Sequence, residues 1–506
     1  MVIRPRYRRP MFAALVVLAL GGVYAAAGNS HPASAAGQKT VRTSHAAVST
    51  ALRVCPAPGS AGVTAGSLAL ATVPGSASSG SAIVTSLTPG GSATPGPVIT
   101  TDSRPGLLQI SRVKTAPALT KAQQVGQQGS SPEVITQVGR GGVLVSATGA
   151  MAQGLEVEQT GPGGLVTAQC EAPGTSFWFV GPGQSSAANV EIYLMNTDSQ
   201  PADAQVSLLT DVTKGAPLLG NADNGITVPP HAMVVQSLST LLKSSKVMAL
   251  NVTTSVGRVV AAVRESQSAQ DDGGWLAPTQ APAKTLVIPG LPQASGEREL
   301  YIAVPGSATA LVKITAVTAR GSYQPTGGTG IDLLGGSAVA IPLPSLGGVP
   351  GAVKITANVP VSATMLVPGG PPGTSGALAA AAGPVLEQGV LADNPARSTE
   401  LVLSAPGRAA TVRVTTATTT ASASSQAGQT VQIKAGTSMV LPVRPPAGGK
   451  ATEFTLVVTP LSGSGPVYAG RVVNSGGAVR SILPVPSSLT WIPLPPVQNS
   501  LAAFLP

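Results

Sequence analysis

The sequence predicts an all-β protein: tandem immunoglobulin-like or fibronectin-like sandwich modules behind an N-terminal signal or anchor helix. Three observations predict it. First, an ungapped thirteen-residue phrase occurs three times, as ITVPPHAMVVQSL (Ile226–Leu238), IDLLGGSAVAIPL (Ile331–Leu343) and VQIKAGTSMVLPV (Val431–Val443). The copies start about 100 residues apart, a spacing that suits whole domains. Second, the 506 residues are 43% hydrophobic, with 3% aromatic and 10% charged residues, and the chain holds 60 Gly and 46 Pro. Short Val- and Thr-rich runs cut by Gly and Pro read as β-strands joined by turns. Third, no long amphipathic helical pattern follows the first 27 residues. A propeller of divergent blades is the alternative, although about 100 residues is long for one blade.

The N-terminus reads as an export segment. Arg4, Arg6, Arg8 and Arg9 precede an apolar run, Met11–Ala27. That order matches the charged and hydrophobic regions of a secretory signal. Ala25-Ala26-Ala27 and Ala33-Ser34-Ala35 are candidate cleavage sites. An uncleaved signal anchor is the rival reading, and both place the rest of the chain outside the cytoplasm. Residues 1–36 are therefore taken as signal peptide or anchor, and the polar stretch 37–50 as a tether.

From Ala51 short β-like runs begin: Leu68–Val73, Ser81–Leu87, Gly106–Val113, Val143–Ala147, Leu155–Gln159 and Leu165–Cys170. Residues 51–180 form one N-terminal β-domain in this reading, with Lys114–Ser131 as a loop or poor helix. Module 1 covers 181–272, module 2 covers 273–374, and module 3 with a C-terminal strand covers 375–506. Each module opens with a strand–turn–strand unit (Val190–Leu209, Glu299–Val317, Glu400–Ala417). The phrase follows, and a long hairpin-like stretch closes the module (Val247–Val263, Ala352–Val367, Phe454–Val473).

The two cysteines, Cys55 and Cys170, form an even pair in an exported chain, which suggests a disulfide. Two buried free thiols are the alternative. The net charge is +10, but the first nine residues carry four of the positive charges. No cluster of Lys and Arg with interleaved aromatics is present, so no nucleic-acid partner is expected.

Little in the chain suggests chemistry. Of three histidines only His231 lies in a module, and its counterparts in the other copies of the phrase are Gly336 and Gly436. It reads as a turn residue rather than a base or metal ligand. A structural zinc site lacks ligands. No nucleophile elbow, phosphate loop or calcium loop is present. The residues that suit a ligand or partner contact are Trp178, in the run Ser176–Val180 (SFWFV), and Trp275 with Asp272, in DDGGW. An aromatic beside a carboxylate suits a sugar, yet a core residue beside a solvated loop has the same sequence.

The basic signal segment, Val54-Cys55-Pro56, Cys170, VIPGLP (Val287–Pro292), the A-P-G turns and the closing P-x-x-x-x-W-I-P-L-P (Pro486–Pro495) resemble an uncharacterised family of actinobacterial secreted or membrane-anchored proteins. Ala377 departs from it, standing where the matching segment has an aromatic (Trp275). The resemblance implies an envelope-facing β-protein encoded near cell-surface glycosyltransferases, and no catalytic residue carries over. The expected function is a non-enzymatic, extracytoplasmic cell-envelope protein, a scaffold or partner subunit linked to envelope glycan assembly. A carbohydrate-binding module array and a secreted hydrolase with unflagged carboxylates are the alternatives. No cofactor or metal is expected. Partners are envelope proteins or glycans, with membrane contact through the N-terminal segment if it stays uncleaved.

Overall fold

The computed structural model describes residues 44–494, apart from 57–65, 74–75, 78, 90–93, 102–108, 117–132, 138–140, 161–166, 184–188, 212–217, 220–224, 267–273, 295, 347, 370–375, 419–426 and 447–451. The signal or anchor segment, residues 117–131 of the stretch read as a loop or poor helix, and Asp272 lie outside the described residues, and the start of that stretch, Lys114–Ala116, ends a strand instead. The chain divides into two compact units. One joins residues 44–46 with 492–494, and in it the Leu494 N–H donates to the Ser44 carbonyl at 2.8 Å. The other, Ala47–Trp491, holds the modules.

The regular secondary structure of the described residues is almost entirely strand, as the composition predicts. Module 3 shows the plan. Its strands in order are Gly389–Pro395, Thr399–Ala405, Ala410–Ala417, Ala427–Ile433, Thr437–Pro442, Glu453–Pro460, Tyr468–Ser475 and Ala478–Pro484. One sheet runs first–sixth–third–fourth, and the other fifth–second–seventh–eighth. Modules 1 and 2 repeat this plan, with eighth strands at Gly274–Leu276 and Ala377–Ala380. The two sheets of each module face one another across a core. Along the third strand of module 2, Ala310, Val312, Ile314 and Ala316 are buried while Leu311 and Lys313 are exposed. This is the period-two alternation of a strand with one face on a core.

The N-terminal domain follows the same plan. Thr50–Cys55, Val143–Gly149, Gly80–Ser86 and Thr94–Thr101 form one sheet, and Gln109–Ala116, Gly66–Thr72, Glu156–Thr160 and Thr167–Gln169 the core of the other. It is a fourth copy of the module. Its sequence hides this, because residues 102–108 separate its fourth and fifth strands and break the phrase that marks the other copies.

Three sequence readings change. The closing stretches are not hairpins: the sixth and seventh strands lie in different sheets. In module 2 a single strand, Gly351–Val367, runs through both. The thirteen-residue phrase likewise holds the fourth and fifth strands, one in each sheet, so it is an arch across the sandwich. Finally, Ser176–Pro182 pairs with Val247–Val256 and is the first strand of module 1, while Gly274–Leu276 closes that module. The joining segments are edge strands, so the module limits shift from residues 180 and 272 to about 175 and 277.

Within the larger unit, sheets of successive sandwiches pack face to face. The outer face of each fifth–second–seventh sheet covers the outer face of the preceding first–sixth–third sheet. Val54, Leu87 and Leu144 of the N-terminal sandwich meet Tyr193, Met195 and Met233 of module 1. Val180, Leu209 and Ala249 meet Tyr301, Ala303 and Ala338 of module 2. Val287, Val317 and Ala352 meet Tyr468 of module 3. Module 3 then returns to the start, as Val390, Ala392 and Val457 pack on Ala69, Ala71 and Val73. The interfaces form a closed cycle. At the third of them Gly470 lies so close to the Gly290 backbone that a methyl group on Gly470 has no room. The arrangement is not a propeller. A blade takes its strands consecutively from the chain, whereas here the chain changes sheet at almost every turn.

Candidate functional site

The disulfide organises the first wall of the site. Cys55 and Cys170 are bonded, with the disulfide in the core of the N-terminal sandwich. The bond holds the end of the first strand against the end of the eighth. Beside it, Val54 and Glu171 exchange both backbone hydrogen bonds, N–H to carbonyl, at 2.8 and 3.1 Å. The Glu171 side chain is thereby held at the edge of the sandwich.

Module 1 supplies the second wall. Its run Ser176–Val180 alternates as a strand must. Phe177 and Phe179 enter the module core, and Trp178 points the other way, half-buried at the interface with module 2. Trp275 lies on the eighth strand, half-buried, with its ring edge-on to Tyr193 at 5.1 Å between centroids and an interplanar angle of 68°. Burial and the neighbouring Glu191 push the Tyr193 hydroxyl up to about 12, so it stays protonated and donates to Glu191 at 2.9 Å. Trp178 and Trp275 thus occupy different sheets and different interfaces, and the structure does not bring them together.

A crevice opens where the N-terminal sandwich, module 1 and module 3 meet. Glu171, Gln169 and Pro56 line it from the first, Phe179, Trp275 and Pro278 from the second, and Leu483 from the third. It encloses about 380 Å³ out to its mouth, of which only a water-sized space stands clear of the walls. Of the tryptophans flagged by sequence, Trp275 lines it and Trp178 does not.

Its charge is unbalanced. Arg53 donates from Nε and a terminal nitrogen to both oxygens of Glu156, at 3.3 and 3.0 Å. Ser488 of module 3 donates to the same carboxylate at 3.0 Å. The Glu171 carboxyl has no hydrogen bond or ion pair among the described residues. Burial is the main cause that raises it from its ordinary 4.5 to about 7; Glu156 adds to the rise and Arg53 opposes it. A carboxyl raised in this way lowers stability as it ionises. Its favourable contribution is whole below about pH 4.5 and is lost as the pH climbs to about 7. Glu171→Gln is therefore expected to stabilise the protein by about 2–3 kcal/mol at pH 8 and to change little at pH 4.5, read by denaturant melts at both values. An equal effect at both would show that Glu171 does not titrate there.

Glu171, Arg53 and Glu156 escape sequence reasoning, because only the fold assembles them. One signal was present: Glu171 directly follows a cysteine expected to be bonded. His231 is far from any such cluster along the chain and sits in the arch of module 1. Its φ is +50°, beside +71° and +72° at Gly336 and Gly436, and its N–H donates to the Asp198 carbonyl as theirs do to Val304 and Ala405. It is a turn residue in the left-handed region, where a side chain is strained. His231→Gly is expected to leave stability unchanged or raise it by up to about 1 kcal/mol in thermal melts, and a β-branched His231→Val to lower it by about 1 kcal/mol. A clear loss with glycine would point to a role for the imidazole. Among the described residues no three His, Cys, Asp or Glu side chains gather as metal ligands.

Residues 124–444, more than half of the chain, match a family of unknown function, DUF5719. The chain belongs to this family. The DUF5719 match begins within the N-terminal sandwich and ends beyond the arch of module 3, so it covers modules 1 and 2 whole. No curated protein matches the chain. The disulfide indicates an oxidising, extracytoplasmic environment for this DUF5719 protein. Among the described residues no helix is long and apolar enough to cross a membrane.

Proposed function

We propose that the protein is a non-enzymatic component of the cell envelope, a scaffold or partner subunit linked to envelope glycan assembly. The observation that carries this reading is the closed cycle of four sandwiches, the first of them braced by the disulfide. Face-to-face packing holds the modules rigid and leaves their turns and arches for contacts. Within the arches Thr227, Asp332 and Gln432 are exposed at matching places and differ in chemistry. Differences of this kind suit a protein that offers separate surfaces to separate partners. The basic segment ahead of Met11–Ala27 supports an envelope location, by secretion or by retention as an anchor. Cross-linking in intact cells followed by mass spectrometry tests the reading. Links to envelope glycosyltransferases or other envelope proteins are expected; links to cytoplasmic proteins alone would end it. Fractionation of the same cells separates secretion from anchoring.

A carbohydrate-binding array is the second reading, favoured by Trp275 at the crevice. It predicts that binding to isolated cell-wall glycan falls at least about tenfold on Trp275→Ala, as stacking on an aromatic ring is lost.

A further inference from the structure

The geometry points to the crevice between the N-terminal sandwich, module 1 and module 3 as a binding site for a small ammonium group, with Glu171 as its counter-charge and Trp275 as its aromatic wall. The titratable groups facing Glu171 are Arg53 and Glu156. The Arg53 guanidinium is committed to Glu156 through two hydrogen bonds, so the three groups carry one negative charge in excess. That excess rests on a half-buried carboxylate without a hydrogen-bond partner among the described residues, at the wall of an open crevice.

A cation in the crevice removes the imbalance. It would be attracted by the carboxylate in a poorly hydrated setting, where such attraction is stronger than in water. Apart from Glu171 and Gln169 the lining side chains are aromatic and apolar (Trp275, Phe179, Pro278, Leu483), which suits an organic ammonium better than a metal ion that needs about six or more oxygen ligands. Size narrows the choice. A water-sized clear space admits an –NH₃⁺ head and leaves whatever carries it, an alkyl stem or a sugar ring, at the mouth. The ligand is then the ammonium end of a larger molecule, either a lysine-like side chain or an amino sugar. The disulfide next to Val54 and Glu171 holds the acidic wall in place before any ligand arrives. This inference stands on the crevice and does not depend on the scaffold reading.

The test uses the full chain and calorimetric titration with n-butylammonium, and with n-butanol as the uncharged probe of equal length. Saturable binding of n-butylammonium at pH 8.5, absent for n-butanol, is expected. With Glu171 ionising near 7, binding at pH 5 should be about 100-fold weaker. Glu171→Gln should abolish binding, and its melting temperature should not fall below that of the parent. Trp275→Phe, which keeps an aromatic wall, should retain binding. Nα-acetyl-lysine amide and glucosamine then distinguish the two sources: whichever binds more tightly identifies the natural class. Equal binding of n-butanol, retention of n-butylammonium by Glu171→Gln, or no saturation at either pH would overturn the proposal.

Discussion

Arg471→Met is expected to destabilise the protein by about 3–5 kcal/mol, because it strands a buried carboxylate. Arg471, on the seventh strand of module 3, is fully buried. It pairs with Glu158 of the N-terminal sandwich at 2.6 Å, side-chain exposures being 0% and 2%. The same guanidinium donates to the Asp393 carbonyl. Glu158 accepts the Asp393 N–H at 2.7 Å, and Thr160 donates to the Asp393 carboxylate at 2.6 Å. These groups bolt the last sandwich to the first, at the contact that closes the cycle. Burial raises the Glu158 carboxyl although Arg471 pulls it down, so the pair is held against its desolvation cost. Without the arginine, Glu158 ionises still less readily. The loss should therefore be largest near pH 8 and shrink towards pH 4, where an uncharged Glu158 needs no partner. Denaturant melts of Arg471→Met, Glu158→Leu and the double variant test the coupling. The double variant should recover much of the loss, since an apolar pair replaces the ions. A single variant within about 1 kcal/mol of the parent would mean that this contact does not hold the cycle closed.

Cys55→Ser with Cys170→Ser is expected to cost about 2–5 kcal/mol. The cysteines are 115 residues apart in the chain, so the bond removes a large loop from the freedom of the unfolded state. It also stands beside the Val54–Glu171 bridge. Loss of the bond should therefore loosen the crevice wall before the core of the sandwich. Hydrogen exchange at the Val54 and Glu171 amides should speed up more than at Val145, in the centre of the same core. A double variant as stable as the parent, with unchanged exchange at both amides, would show that the strand pairing holds the wall alone.

Much of the fold was legible in the chain. Alternating runs such as Ala310–Thr318 mark strands, because a strand with one face on a core must alternate. The phrase at Ile226, Ile331 and Val431 marks three modules. It also marks His231 as a turn residue, since glycine holds the same place elsewhere. The cysteine pair was legible from compartment and number. The fourth module was not, because its fourth and fifth strands are separated by an insertion. Nor was the site: Glu171, Trp275 and Leu483 lie on three sandwiches, and nothing local links them.

Strand identity and turn positions are local properties, set by side-chain alternation and by glycine where φ is positive. The sequence by itself determined these. Sheet membership is a long-range property: Val247–Val256 and Val260–Ser266 look like the arms of a hairpin, yet each finds its partners in a different sheet. Only the tertiary structure decided that, together with the closure of module 3 onto the N-terminal sandwich through Arg471 and Glu158. The physical reason is that period-two alternation specifies which face of a strand is buried. It does not specify which neighbour buries it.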